Sequence, residues 1–227
     1  MNRMRTHRAP ILLALAAALV AAGCNLAVPA LYVAQGPPKQ PALFTLPKDK
    51  KTVVFVDDRK NVVSRLQLRA MLADDVGTVL QKLELVDEVV SGRELISYVR
   101  RVETSSKRVS IEELGNAVNA DIVVYVEMES FALSPDGATP KPVASAFVKV
   151  VDVKAKERLF PPMGGDPKGH PVSSELDTMS PEMFRTSAQR RRAEDMLEKR
   201  LAEDVGNLFH EFEPKGFGGG VSKFNNV

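Results

Sequence analysis

The sequence predicts an α/β domain, with α+β as the alternative, built on a single mixed sheet of about four to five strands flanked by helices. Two patterns predict it. A β-branched run over residues 52–56 precedes an amphipathic helical pattern, and an apolar run over residues 121–128 is followed by a second run that turns back. The chain of 227 residues is 44% hydrophobic and 26% charged, which is typical of a globular protein and excludes wholesale disorder.

The first half of the domain alternates strands and helices. Residues 52–56 predict a buried strand, and residues 85–90 predict a second one. Between them, Ser64 precedes a helix whose apolar residues recur at steps of three and four: Leu68, Leu72, Val76, Val79, Leu80 and Leu83.

Two shorter helices are predicted next from their first turns. Ser91 and Glu94 have the spacing of a capping box, in which each side chain bonds a free backbone N–H at the start of a helix. Ser110 and Glu113 repeat that spacing. We therefore expect one helix from Ser91 to about Arg101 and another from Ser110.

The second half begins with a hairpin. Residues 121–128 predict a central strand, residues 134–137 (Ser-Pro-Asp-Gly) suit a type I turn, and residues 143–153 return as its antiparallel partner. A short strand over residues 158–160 is expected to follow.

The rest of the chain contains many prolines and glycines, which interrupt helices and strands. Prolines and glycines predict a long loop over residues 161–180, and Ser180 followed by a proline predicts a helix over about residues 181–212. The last segment, residues 214–227, is rich in glycine and is expected to be disordered. The α/β domain is therefore assigned to residues 52–213.

The N-terminus has the composition of a secretory signal. Arg3, Arg5 and Arg8 precede an uncharged run that continues to Ala22. This run is too short to cross a bilayer comfortably, which takes about 20 residues. Residues 1–23 are therefore predicted to be a signal peptide.

The residues that follow, Ala21-Ala22-Gly23-Cys24, resemble the lipobox of bacterial lipoproteins, and Cys24 is the only cysteine in the chain. The resemblance implies cleavage between Gly23 and Cys24, a diacylglycerol (with palmitate-type chains) on the Cys24 thiol, and an acyl group on its new amino terminus. Asn25 in place of aspartate favours the outer membrane, facing the periplasm. The alternative is a plain secretory signal with a buried structural cysteine.

Cleavage would change the charge of the protein. The whole chain has 31 basic and 29 acidic residues, but the signal removes three arginines, which leaves one more acidic than basic residue. A nearly neutral chain lacks the clustered positive field that nucleic-acid binding requires. No nucleic-acid partner is therefore expected.

Residues 24–51 are predicted to be a tether between the lipid and the domain. They contain Pro29, Pro37, Pro38, Pro41 and Pro47, which favour extended conformations. Leu43, Phe44 and Leu46 could pin the end of this segment to the domain surface.

Asp57 and Asp58 form the one carboxylate pair that we weigh as a ligand site. They follow the first predicted strand, and open α/β sheets bind ligands at the carboxyl ends of their strands. Arg59 and Lys60 follow at once, however, and aspartate favours turns for local reasons. The simpler interpretation is a turn.

The sequence predicts no metal site and no cofactor beyond the lipid on Cys24. A single cysteine excludes a thiolate cluster or disulfide framework within one chain, and three histidines leave little material for imidazole ligands. No nucleophile elbow or phosphate-binding loop is present. We therefore expect no enzyme activity and nominate no catalytic residue.

The order of elements resembles the periplasmic α/β domain shared by the curli-secretion lipoprotein, the TolB amino-terminal domain and the penicillin-binding-protein activator LpoB. The resemblance lies in residues 53–56, 86–95 and 114–124, and in residues 148–159, where Ala155 and Lys156 replace the Thr-Gly of that group. It covers residues 52–160. Its implied functions are binding and assembly.

These observations predict a lipid-anchored accessory protein of the bacterial cell envelope that binds another envelope or periplasmic protein. One alternative is a self-assembling structural subunit of an envelope or secretion complex, a homo-oligomer that associates through the C-terminal helix. A lower alternative is an envelope hydrolase that uses Asp57 or Asp58 with His170.

Overall fold

The computed structural model describes residues 39–104 and 108–214. Within this range the compact domain is Pro41–Phe212. The predicted signal peptide, Cys24, most of the tether and the glycine-rich tail lie outside the described residues. None of the helices in the described ranges is long and apolar enough to cross a membrane.

The described residues of the domain form six strands, four α-helices and a short 3₁₀-helix. In chain order they are β1 (Thr52–Asp57), α1 (Leu66–Lys82), β2 (Val89–Val90), α2 (Arg93–Val102), α3 (Ile111–Ala117), β3 (Ile122–Ala132), β4 (Val143–Asp152), β5 (Glu157–Phe160), β6 (His170–Glu175), the 3₁₀-helix Pro181–Phe184 and α4 (Ser187–Gly206).

All six strands form one mixed sheet, which confirms the predicted fold class. Its order is β2-β1-β3-β4-β5, and β6 pairs with the other half of β4. The pairs β1–β2 and β1–β3 are parallel, whereas β3–β4, β4–β5 and β4–β6 are antiparallel. The predicted turn between β3 and β4 is present, since the N–H of Gly137 donates to the carbonyl of Ser134 at 3.1 Å.

Helices cover both faces of the sheet, as β-strands with two apolar faces require. On one face α1 and α4 pack over Val54, Val56, Val124 and Val126. On the other, α2 and α3 pack over Val53, Phe55, Val123 and Tyr125, with Leu95 and Leu114 as their buried contacts. The alternation of even and odd residues between the two cores follows from the two-residue period of a strand.

One strand lies where the sequence predicted a continuous loop. Residues 170–175 (β6) pair with β4 from Val143 to Val148. Their sequence, His-Pro-Val-Ser-Ser-Glu, has little strand propensity of its own. Pairing with β4 and the burial of Val172 and Ser174 over the core hold them in an extended conformation.

The strand predicted over residues 85–90 is reduced to Val89–Val90. Glu84 has a positive φ of 54°, and the N–H of Leu85 donates to the carbonyl of Leu80, which closes α1. The N–H of Asp87 donates to the carbonyl of Lys48. These residues therefore have backbone partners outside the sheet.

The helix starts differ in how they are capped. The predicted capping box of Ser110 and Glu113 is present, but the predicted one at Ser91 is not, because Gly92 occupies the N-cap of α2 without a side-chain bond.

The C-terminal helix predicted over residues 181–212 is divided in two. A second capping box, formed by Thr186 and Gln189, starts α4 anew after the 3₁₀-helix.

The domain begins earlier than the predicted boundary at Thr52. Leu46 is buried, and the N–H groups of Leu43 and Phe44 donate to the carbonyl of Leu208 at 2.8 and 3.2 Å. The ring of Phe44 lies 5.6 Å from that of Phe160. Residues from Pro41 onward are therefore part of the compact domain.

Candidate functional site

The outer edge of β1 is open beyond the end of β2. The two residues of β2 pair with Thr52 and Val53, so residues 54–57 have no strand on that side in the described part of the chain. Gly92, at the start of α2, passes so close to β1 that a Cβ there would lie 2.5 Å from the carbonyl oxygen of Val54. A glycine is therefore required where the start of α2 passes β1 at Val54.

A cavity of about 270 Å³ lies where the edge opens, beside the carboxyl end of β1. This is the position at which open α/β sheets bind ligands. The residues that line it come from β1 and the turn after it, from α1, and from the end of α2: Phe55, Asp57, Asp58, Arg59, Arg69, Ile96, Val99, Arg100 and Glu103.

Asp57, the last residue of β1, is held by two donors. Its Oδ2 accepts a hydrogen bond from the Tyr125 hydroxyl and another from Nε of Arg59 at 2.5 Å. Burial and the Asp57 charge raise the pKa of Tyr125 above its ordinary value, so the hydroxyl stays protonated and donates. The Asp57 charge is therefore neutralised within the domain.

Asp58 is only 5% exposed and has a structural partner for each carboxylate oxygen. Oδ1 accepts from the N–H of Val62 at 2.9 Å, and Oδ2 accepts from the N–H of Val63 at 3.0 Å. This geometry stabilises the turn between β1 and α1. The predicted pair thus lines a cavity, and both carboxylates bond to donors of the chain. Ligand binding by them stays a prediction.

Two arginines that line the cavity have no ion-pair partner in the described ranges. Arg69 of α1 directs Nη2 toward the carbonyl of Val56 at 3.4 Å, and its buried Nε has no hydrogen-bond partner there. Arg100 of α2 forms no ion pair with any residue of those ranges. Of the five donors that a guanidinium carries, Nε is therefore the buried one of Arg69 without a partner in the described ranges.

Neither arginine was predicted as a site residue from the sequence. A signal for Arg69 exists, because it shares the helix face of Ala73, Val76 and Leu80, which are buried in the core. A charged residue on an apolar stripe is the unusual observation. Arg100 carries no comparable signal, since it is one of several basic residues around the connection between α2 and α3.

The other predicted site residues are not brought to this cavity. Gly23 and Cys24 lie outside the described residues. His170 of β6 pairs with Val148 of β4. Val148 pairs in turn with Val126 of β3, and Val126 pairs with Val56 of β1. Three strand spacings, about 14 Å at roughly 4.8 Å each, separate His170 from β1. The His–Asp pair of the hydrolase alternative is therefore not assembled.

The environment of His170 has a structural explanation. Its ring lies 5.4 Å from that of Phe160, and burial lowers its pKa.

In the ranges that the structure describes, no group of three or more His, Cys, Asp or Glu side chains could hold a metal ion.

Comparison with protein-family models found no match, and comparison with curated proteins found none. Among solved structures, the PelC dodecamer from Paraburkholderia phytofirmans is similar over 76% of this chain and 96% of its own, at 11% identity and a TM-score of 0.40. The lipoprotein GNA1162 from Neisseria meningitidis is similar over 63% and 97%, at 14% identity and a TM-score of 0.38. Likeness at this level carries no argument about function or assembly.

Proposed function

We propose that this protein is a lipid-anchored accessory protein of the bacterial cell envelope that binds another envelope or periplasmic protein and has no catalytic activity. The observation that carries the proposal is the sequence Ala21-Ala22-Gly23-Cys24 at the end of a signal-like segment, with the only cysteine of the chain at the position that lipidation requires. Two or three acyl chains on Cys24 would hold the protein on the outer membrane, facing the periplasm.

The position of the domain boundary sets how far the domain reaches from the membrane. Cys24 would sit at the lipid surface, and the compact domain begins at Pro41. At no more than 3.3–3.6 Å per residue, the intervening chain spans at most about 60 Å. The partner therefore lies close to the same membrane, either embedded in it or associated with its surface.

The order of elements supports a binding function. A parallel β1–β3 pair with α2 and α3 before β3, followed by the β3–β4 hairpin, is the order on which the resemblance to the curli-secretion, TolB and LpoB domains rests. Binding and assembly are the functions that this resemblance implies. The cavity beside β1 is the feature of the described domain best suited to contact a partner.

The anchor makes a direct prediction for the Cys24→Ala variant. We expect this variant to lose palmitate labelling entirely and to move from the membrane fraction to the soluble fraction, because the acceptor thiol is absent. Metabolic labelling followed by fractionation measures both. The matched control is Ala22→Ser, which keeps a small residue at the cleavage site and should remain labelled. A Cys24→Ala protein that stayed in the membrane fraction would refute the lipid anchor.

A further inference from the structure

We infer that the cavity beside the carboxyl end of β1 binds a carboxylate carried on an apolar side chain or chain terminus of the protein partner. The inference rests on the proposed function, because it assigns the contact through which that partner is recognised.

The first support is the state of Arg69. Its Nε is buried without a hydrogen-bond partner in the described part of the chain, and its single carbonyl contact, from Nη2 to Val56 at 3.4 Å, is longer than an ordinary N–H···O bond. An unsatisfied buried donor is costly, and a charged one more so. A carboxylate in the cavity can accept two parallel bonds from the Nη groups of a guanidinium, which would add charge-assisted partners that Arg69 lacks in the described ranges.

The second support is the balance of charge around the cavity. Asp57 is paired with Arg59 and accepts from Tyr125, whereas Asp58 keeps its negative charge and accepts from two backbone N–H groups. Among the described lining residues, the arginines without an ion pair are Arg69 and Arg100. The three arginines and three carboxylates of the lining balance in formal charge, so a singly charged anion beside the two free guanidinium groups is favoured over a more highly charged one. A phosphate dianion would face the two aspartates and is disfavoured.

The third support is the shape and lining of the cavity. Phe55, Ile96 and Val99 supply apolar walls, so the carboxylate should be attached to an apolar group. A volume of about 270 Å³ is just below the range of about 300–1,000 Å³ typical of small-molecule sites. The cavity therefore fits one or two side chains of a protein segment better than a cofactor-sized molecule.

The test uses a small probe with the proposed chemistry, 4-fluorophenylacetate, titrated into the lipidated mature protein in detergent micelles and followed by ¹⁹F NMR. We expect saturable binding that is weaker by about tenfold or more in Arg69→Gln, since a charge-assisted bidentate contact is lost. The neutral probe 4-fluorophenylacetamide and the dianion 4-fluorophenyl phosphate should each bind less tightly than the carboxylate.

Two further variants keep the test interpretable. Arg100→Gln changes an exposed side chain and should weaken probe binding even if Arg69→Gln disturbs folding. Arg101→Gln removes the same charge from the next residue of α2, which does not line the cavity, and should bind the probe as the unaltered protein does. Absence of saturable binding, or equal binding by all variants, would overturn the inference.

The same variants separate this inference from the proposed function. If Arg69→Gln and Arg100→Gln still crosslink to the envelope partner and the probe does not bind, the partner exists and the cavity is not its contact. If the unaltered protein binds the probe and both arginine variants lose the probe and the partner together, the inference holds.

Discussion

Replacing Glu198 by glutamine is expected to raise the free energy of unfolding by about 3 kcal/mol at pH 7 and by less than about 1 kcal/mol at pH 5. Glu198 lies on α4 facing α1, is only 1% exposed, and has no hydrogen-bond partner for either oxygen in the described ranges. Burial raises its pKa from 4.5 to about 9, and the neighbouring Asp75 carboxylate of α1 adds to the effect.

The sign of the pH dependence follows from this raised pKa. The folded state keeps the Glu198 proton up to a pH of about 9, whereas the unfolded state releases it at about 4.5. The favourable contribution of the protonated form is therefore complete below pH 4.5 and is lost as the pH rises toward 9, at about 1.4 kcal/mol per pH unit. Glutamine does not titrate, so the variant lacks this slope.

Urea unfolding followed by circular dichroism at pH 5, 7 and 8, in a non-lipidated Cys24→Ala background, measures the difference. Glu94→Gln is the matched control, since Glu94 is exposed in the first turn of α2 and its loss should change stability little at any of these pH values. If the free energy of unfolding varied with pH in the same way in Glu198→Gln as in the Cys24→Ala protein, the buried carboxyl would be ionised in the folded state, contrary to this account.

Replacing Leu201 by alanine is expected to lower the free energy of unfolding by about 3 kcal/mol, because it leaves a cavity between α4, α1 and the sheet. Leu201 is fully buried in the core that α1 and α4 share, as are Leu197 and Val205. Equilibrium unfolding in urea checks the value. The expectation follows from packing and does not depend on the lipid anchor.

Met196 provides the control on the same helix. It is 42% exposed, so Met196→Ala should change stability by no more than about 0.5 kcal/mol. Similar losses for both variants would contradict the packing of α4 described above.

The burial of Leu197, Leu201 and Val205 also means that the apolar face of α4 is already covered within one chain. Self-assembly through that face, the structural alternative considered from the sequence, has no free surface there.

Elements with strong local patterns could be predicted from the sequence. The β-branched runs of β1 and β3, the apolar stripe of α1 and the capping box at Ser110 each depend on residues close together in the chain. By contrast, β6 is extended because it pairs with β4, and its own residues do not favour a strand. Such an element depends on tertiary contacts that no short window contains.

The charged residues of α4 show the same limit. Glu194 and Asp195 bind Arg65, which lies far from them in the chain, with Nε of Arg65 2.7 Å from Glu194. This contact joins the start of α1 to α4. Only the packing of the two helices brings these residues together.

The candidate site was predictable in part. Asp57 and Asp58 could be placed at a sheet edge, since the carboxyl end of a strand is a local feature. Arg69 and Arg100 belong to different helices and meet at the cavity only because β2 is too short to cover β1. The donors that bond to the two aspartates, Tyr125 and the N–H groups of Val62 and Val63, are likewise brought there by the fold.

Crosslinking in intact envelopes tests the central claim, that the lipid-anchored domain binds another envelope protein. With a C-terminal affinity tag, the account predicts a discrete adduct whose mass is not a multiple of the chain's own and which disappears in the Cys24→Ala variant. Mass spectrometry of that adduct would identify the partner. An adduct series at multiples of the chain's own mass alone, or no adduct at all, would contradict the account.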